Sequence, residues 1–135
     1  MPYAIKEIEG IGPAYAEKLS AAGIKTTEDL LMKCGTPGGR RAVAETTGLG
    51  EAVILKWTNR ADLMRISGIG PQYSELLEVA GVDTVKELKT RNAANLAVKM
   101  AETNAQKKVA RTSPAAGTIE KWVTAAQKMD PRITY

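Results

Sequence analysis

Two tetrapeptides carry most of the chemistry that this sequence offers. Gly10-Ile11-Gly12-Pro13 recurs as Gly68-Ile69-Gly70-Pro71. Two glycines one residue apart permit backbone angles that side chains forbid. A proline just after them suits the first residue of a helix, where its missing N–H costs nothing. A helix start offers unpaired N–H groups and the positive end of the dipole. Glycines leave that end open to a ligand. The pattern suits an anion, above all a phosphate, held on main-chain N–H groups. The competing reading is a plain structural turn, with the isoleucine pinned into the core. The candidate residues are Gly10, Ile11 and Gly12, then Gly68, Ile69 and Gly70. Gly48-Leu49-Gly50 is a weaker third turn. Lys18, a turn beyond the first copy, is the cation placed to assist it. Lys107, Lys108 and Arg111 form the densest basic cluster. Such a run is either a solvated face or a patch that tracks a polyanion backbone.

Other chemistries find no residues. The chain has no histidine and one cysteine, Cys34, which borders a loop. That excludes an intramolecular disulfide, a Cys/His zinc site and a histidine-based nucleophilic triad. No pair of acidic residues is spaced as an acid–base or metal site. The loop CGTPGGRR (34–41) lacks the Gly-Lys-Ser/Thr ending of a nucleotide cradle. It reads as a helix stop at Gly35 and a start at Thr36-Pro37, with Arg40 and Arg41 placed to attract an anion. Expected catalytic residues, metals and cofactors are none. Net charge is +4. Residues 1–65 hold nine Lys/Arg against eight Asp/Glu, and residues 66–135 hold ten against seven. The surplus therefore sits mostly in the second half and permits a polyanion partner. The start MPYAIKEIEG has no apolar signal region and no stretch approaches a membrane span. A cytoplasmic setting is expected.

The elements that position these turns repeat. With an offset of 58, twelve identities fall in 23 residues, from Ile8/Ile66 to Leu30/Leu88. The likeness returns as ILKW (54–57) against IEKW (119–122) at an offset of 65. The domains read as 1–65, a diverged second unit over 66–130, and a tail over 131–135. Pro13 and Pro71 open helices that Gly23 and Gly81 stop in the left-handed conformation. Tyr15, Ala16, Leu19 and Ala22 share one face, as do Tyr73, Leu76, Leu77 and Ala80. Thr26 with Asp29, and Thr84 with Glu87, signal the next helix starts. Asn92 is a further one. Apolar stripes follow at Leu96, Ala97, Met100 and Ala101, at Ile54, Trp57, Ala61 and Met64, and at Ile119, Trp122, Val123, Ala126 and Met129. Trp57 and Trp122 take matching positions as anchors of two cores. No segment alternates as a strand. The expected fold is all-α, with about ten short helices.

IEGIGPAYAEKL and ISGIGPQYSELL resemble helix-hairpin-helix motifs. TTGLGEAVIL (46–55) is similar to a third hairpin. A fourth is expected near RTSPAAGTIEKW, without Gly-x-Gly. Two hairpins per half resemble the double helix-hairpin-helix domain of DNA repair proteins and recombinases. Over nearly its full length the chain also resembles small bacterial proteins that form a domain family of undefined function, through ILKWTNRADLMRI and LLEVAGVDTVKEL. The resemblance implies tandem repeats whose hairpin N–H groups hold duplex phosphates without reading bases. It also implies a Lys or Arg two residues after the second glycine. Here those positions are Ala14, Gln72 and Ala52, with Glu51 at the third mouth. The leading expectation is non-catalytic, sequence-independent binding of DNA. The alternative is a protein-interaction scaffold that keeps the fold, with an unidentified protein as partner.

Overall fold

The computed structural model describes residues 3–135. Among them are eight α-helices, one short 3-10 helix and no strand. The 3-10 turn Ile5–Glu7 precedes α1 (Pro13–Ala21), α2 (Thr27–Cys34), α3 (Pro37–Thr47) and α4 (Glu51–Leu63). Then come α5 (Pro71–Val79), α6 (Val85–Leu88), α7 (Ala93–Lys107) and α8 (Ala116–Gln127). The count falls short of the ten expected for two reasons. Before the second turn, α4 itself fills the place that the 3-10 turn holds before the first. The residues gained in the second half lengthen α7 and the loop after it instead of adding a helix.

Local sequence explains the boundaries. Thr26, Thr36, Thr84 and Asn92 each accept a hydrogen bond from the backbone N–H three residues on. That satisfies one orphan donor at each helix start. Gly23 and Gly81 stop α1 and α5 with φ of +86° and +103°. The chain then folds back, and Ile24 and Val82 donate to the carbonyls of Leu19 and Leu77 at 2.9 and 2.8 Å. Both apolar residues are fully buried, so each glycine redirects the chain straight into the core. Helix α6 is shorter than α2 because only seven residues separate the caps Thr84 and Asn92, against nine between Thr26 and Thr36.

The buried side chains form two clusters. One gathers Ile5, Ile8, Ile11, Leu19, Leu30 and Trp57 with their neighbours. The other gathers Ile66, Ile69, Leu77, Leu88, Leu96 and Trp122 with theirs. Helix α4 serves both: Ala61 belongs to the first and Leu63 to the second. The expected stripes hold except at Tyr15 and Ala101, which are exposed. Thr103 is buried on α7 instead, its hydroxyl bonded to the Lys99 carbonyl at 2.7 Å. The last five residues do not trail away. Ile133 is buried in the first cluster, and Arg132 pairs with Glu28 at 2.9 Å.

Candidate functional site

Each turn is built on a buried tryptophan. Gly10 and Gly68 both have φ of +94°. The N–H of Ile11 donates to the Ile8 carbonyl at 3.0 Å, and that of Ile69 to the Ile66 carbonyl at 3.1 Å. A four-residue turn with positive φ at its third position takes glycine there. All four isoleucines are buried, so both ends of the turn are pinned. A Cβ on Gly10 would stand 3.5 Å from Nε1 of Trp57, and one on Gly68 only 3.1 Å from Nε1 of Trp122. Tyr15 and Tyr73 pack on those indoles at 5.5 and 5.4 Å between ring centroids. Ile11 and Ile69 therefore anchor the turns. Their amides close the turn and do not face outward.

The donors that do remain lie at the helix starts. Gly12 and Gly70 are extended, and Pro13 and Pro71 begin α1 and α5. Among the described residues, no backbone or side-chain acceptor takes the N–H of Gly12, Ala14 or Tyr15. The same holds for Gly70, Gln72 and Tyr73. The third turn joins α3 to α4. Gly48 closes α3 in the left-handed conformation at φ +76°, and Gly50 is the extended residue before α4. Glu51 is the first residue of α4, so a carboxylate already faces that dipole.

The charges around the two main turns differ. At the first, Arg60 donates to the Glu9 carbonyl and pairs with Glu78 at 2.8 Å. Lys56 reaches the same Glu78 at 3.7 Å. Burial pushes the Glu75 carboxyl up, and the nearby Glu9 adds to that rise. Lys18 sits in the last turn of α1, about 7.5 Å along the axis from the helix start. The first turn is thus set among mixed charges, with a carboxylate, Glu9, directly beside Gly10.

The second turn has a basic neighbour that the sequence does not reveal. The loop after α7 folds over the start of α5. The Gln72 side chain accepts from the Arg111 N–H at 3.3 Å, and the Tyr73 hydroxyl meets that of Thr112 at 3.4 Å. Asn104 fixes the loop by bonding both N–H and carbonyl of Ala110, at 2.9 and 3.0 Å. Lys107 ends α7, and Lys108 caps it in the left-handed conformation at φ +53°. Lys107, Lys108 and Arg111 are all exposed. The structure therefore joins Gly68–Gly70 to the loop that carries Arg111. Tyr3 also comes to this turn, its hydroxyl 3.5 Å from where a Cβ on Gly70 would stand. The fourth connection, expected near Ser113-Pro114, is this same loop between Lys108 and Ala115.

Two other candidates resolve differently. Arg40 turns inward and is buried, donating to the Cys34 carbonyl at 3.1 Å and the Thr134 carbonyl at 2.9 Å. Only Arg41 of that pair is exposed. Cys34 is fully buried, and burial pushes its thiol up to about 11, which disfavours the reactive thiolate. Among the described residues, no three His, Cys, Asp or Glu side chains gather as a metal site. No described helix is long and apolar enough to cross a membrane.

These features define an all-helical protein in which one glycine-turn unit, seated on a tryptophan, occurs twice. The chain belongs to the family described as a domain of unknown function, DUF4332, whose model matches residues 9–129. No curated protein and no solved structure matches it.

Proposed function

We propose that the glycine turns are the hairpins of tandem helix-hairpin-helix repeats, and that the protein binds DNA without sequence preference and without catalysis. The hairpin of the second half is the main contact. The observation that carries this reading is the hydrogen bond from the Arg111 backbone N–H to the Gln72 side chain. Gln72 stands where a basic residue assists in such hairpins. Here it instead anchors, through the Arg111 backbone N–H, the segment that carries Lys107, Lys108 and Arg111 beside the start of α5. On this reading the main-chain donors at the start of α5 and the exposed cations carried by this segment serve one phosphate track. Contacts of this kind position a protein on a duplex but do not read bases. A bacterial cytoplasm, where DNA is accessible, goes with this reading.

Affinity is expected at roughly 10⁻⁴ to 10⁻⁶ M at physiological salt, rising steeply as salt falls. Fluorescence anisotropy with a short labelled duplex tests it. Replacing Lys107, Lys108 and Arg111 by Gln should lower the slope of log K against log salt by about 2 to 3, at roughly 0.9 per lost phosphate contact. A control with the same change in charge, Lys86, Lys89 and Lys128 to Gln, should leave the slope near wild type. Absence of binding at about 50 mM salt, where such contacts are strong, overturns the reading.

One observation favours a second reading, a protein-interaction module. Glu9 beside Gly10 and Glu51 at the start of α4 place carboxylates at the mouths of both first-half turns. Partners recovered with the protein that persist after nuclease treatment would support it. Partners lost with nuclease support DNA.

A further inference from the structure

The segment after α8 has no counterpart in the first half and lies beyond the family match. It leaves the second half at Asp130, whose carbonyl accepts from Arg65 of the inter-half segment at 3.0 Å. It then crosses onto α2 and α3. Arg132 pairs with Glu28 at 2.9 Å. Thr134 donates its N–H to the Gly35 carbonyl at 2.7 Å. Tyr135 donates its hydroxyl to Asn59 of α4 at 3.0 Å. Ile133, between them, is buried in the first core.

Two residues of the first half are shaped for this segment. Gly35 has an ordinary helical φ of −66°, so its conformation does not demand glycine. A Cβ there would stand 2.6 Å from the Arg132 carbonyl oxygen and 2.7 Å from that of Leu31, so the crossing segment and the end of α2 together leave no room for one. Arg40 is buried without a carboxylate partner among the described residues. A buried charge needs compensation, and here it comes from carbonyls. One is Cys34, within the first half; the other is Thr134, in the crossing segment. The Tyr135 ring lies 5.9 Å from the guanidinium carbon, within range of a cation–π contact.

We propose that residues 131–135 are a latch, which returns from the second half, compensates the buried Arg40 and holds α2 and α3 in the same cooperative unit as the rest of the chain. Helix α4 is the first link between the halves, and the latch closes the ring. Its role is independent of DNA binding.

Hydrogen exchange of the full chain, read by mass spectrometry, tests it. Thr134→Pro deletes the N–H that reaches Gly35 and touches no core side chain. Exchange over residues 27–47 should quicken by about fivefold or more, because local openings are governed by local bonds. Residues 71–79 and 93–107 should keep wild-type protection. Ile133→Asp should give the same regional pattern, more strongly. If Thr134→Pro leaves 27–47 at wild-type rates, or quickens every helix equally, the latch is overturned. Should Ile133→Asp unfold the whole chain, the Thr134→Pro pattern alone decides.

Discussion

At the first turn, a Cβ on Gly10 would meet Trp57 at 3.5 Å and the Arg60 guanidinium at 3.9 Å; at the second, one on Gly68 would meet Trp122 alone. The backbone is otherwise the same, with φ of +94° at both glycines and an extended glycine before each proline. Position 125, which matches Arg60 at the tryptophan offset, is alanine. Arg60 ties the first turn to Glu78 of α5, and so to the other half. Among the described residues the second turn has no such charged tie and meets the first half through Tyr3. It is free to receive the Arg111 loop and Tyr3. Residues common to both copies thus set the shape, and residues that differ set what each turn touches. The first turn is held to the other half by Arg60 with its Gly12–Tyr15 rim exposed, and the second, its Gly70 and Pro71 half-buried, is flanked by the Arg111 loop and Tyr3.

The sharpest probe of the shared part is the glycine itself. Alanine at Gly68 or Gly10 must adopt a positive φ, which costs on the order of 1–2 kcal/mol. Gly68→Ala must also displace the Trp122 indole, since 3.1 Å is too close for a carbon contact. The expected losses are about 3 kcal/mol at Gly68 and about 2 kcal/mol at Gly10. Urea denaturation of both variants measures them. Equal losses, or a larger one at Gly10, would break the claim that the second turn sits tighter on its tryptophan.

Arg60 probes the part that differs. Arg60→Leu removes the donor from the Glu9 carbonyl and leaves Glu78 only its longer contact to Lys56. Loss of a mostly buried charged hydrogen bond should cost about 2 kcal/mol. At the matching position, where Ala125 is half-buried against the second core, Ala125→Ser should cost less, about 1 kcal/mol or below. The same denaturation assay decides. A loss under about 0.5 kcal/mol for Arg60→Leu would mean that Arg60 does not hold the first turn to the other half.

Much of this comparison is written in short-range sequence. The repeat, the caps at Thr26, Thr36, Thr84 and Asn92, and the left-handed Gly23 and Gly81 are decided within a few residues. Local propensity therefore exposes them. What the sequence hides is long-range and polar. Gln72 looks like the loss of a basic contact, and only the fold shows that its amide holds a loop 39 residues away. Arg40 looks like a surface cation because its acceptor, Thr134, is 94 residues distant. The segment 131–135 is polar enough to read as a tail, and its one buried apolar residue, Ile133, has no periodic companions. Thr103 escapes a search for apolar stripes because its hydroxyl is satisfied within its own helix.

The smallest expected difference between the halves lies at their second helices. Thr26 and Thr84 cap alike, each at 3.1 Å, and each should cost about 1 kcal/mol when changed to Ala. Their partners three residues on diverge. The Asp29 carboxylate reaches back to the N–H groups of Lys25 and Thr26 at 3.0 and 3.1 Å. Glu87 turns forward to Arg91 at 3.0 Å. The N–H of Lys25 is the largest of the causes that hold the Asp29 carboxyl below its usual value of 3.8. A carboxylate whose folded pKa is depressed stabilises the fold above the unfolded pKa and loses that contribution as pH falls through the folded one. Asp29→Asn should therefore lower the melting temperature at neutral pH, and the deficit should close as pH drops below about 3.8. Thermal melts of wild type and Asp29→Asn from about pH 7 down to about pH 2.5 follow that closure. A deficit that stays constant over the range would show that the carboxylate's charge adds nothing to the first cap, and the two helix starts would then be equivalent.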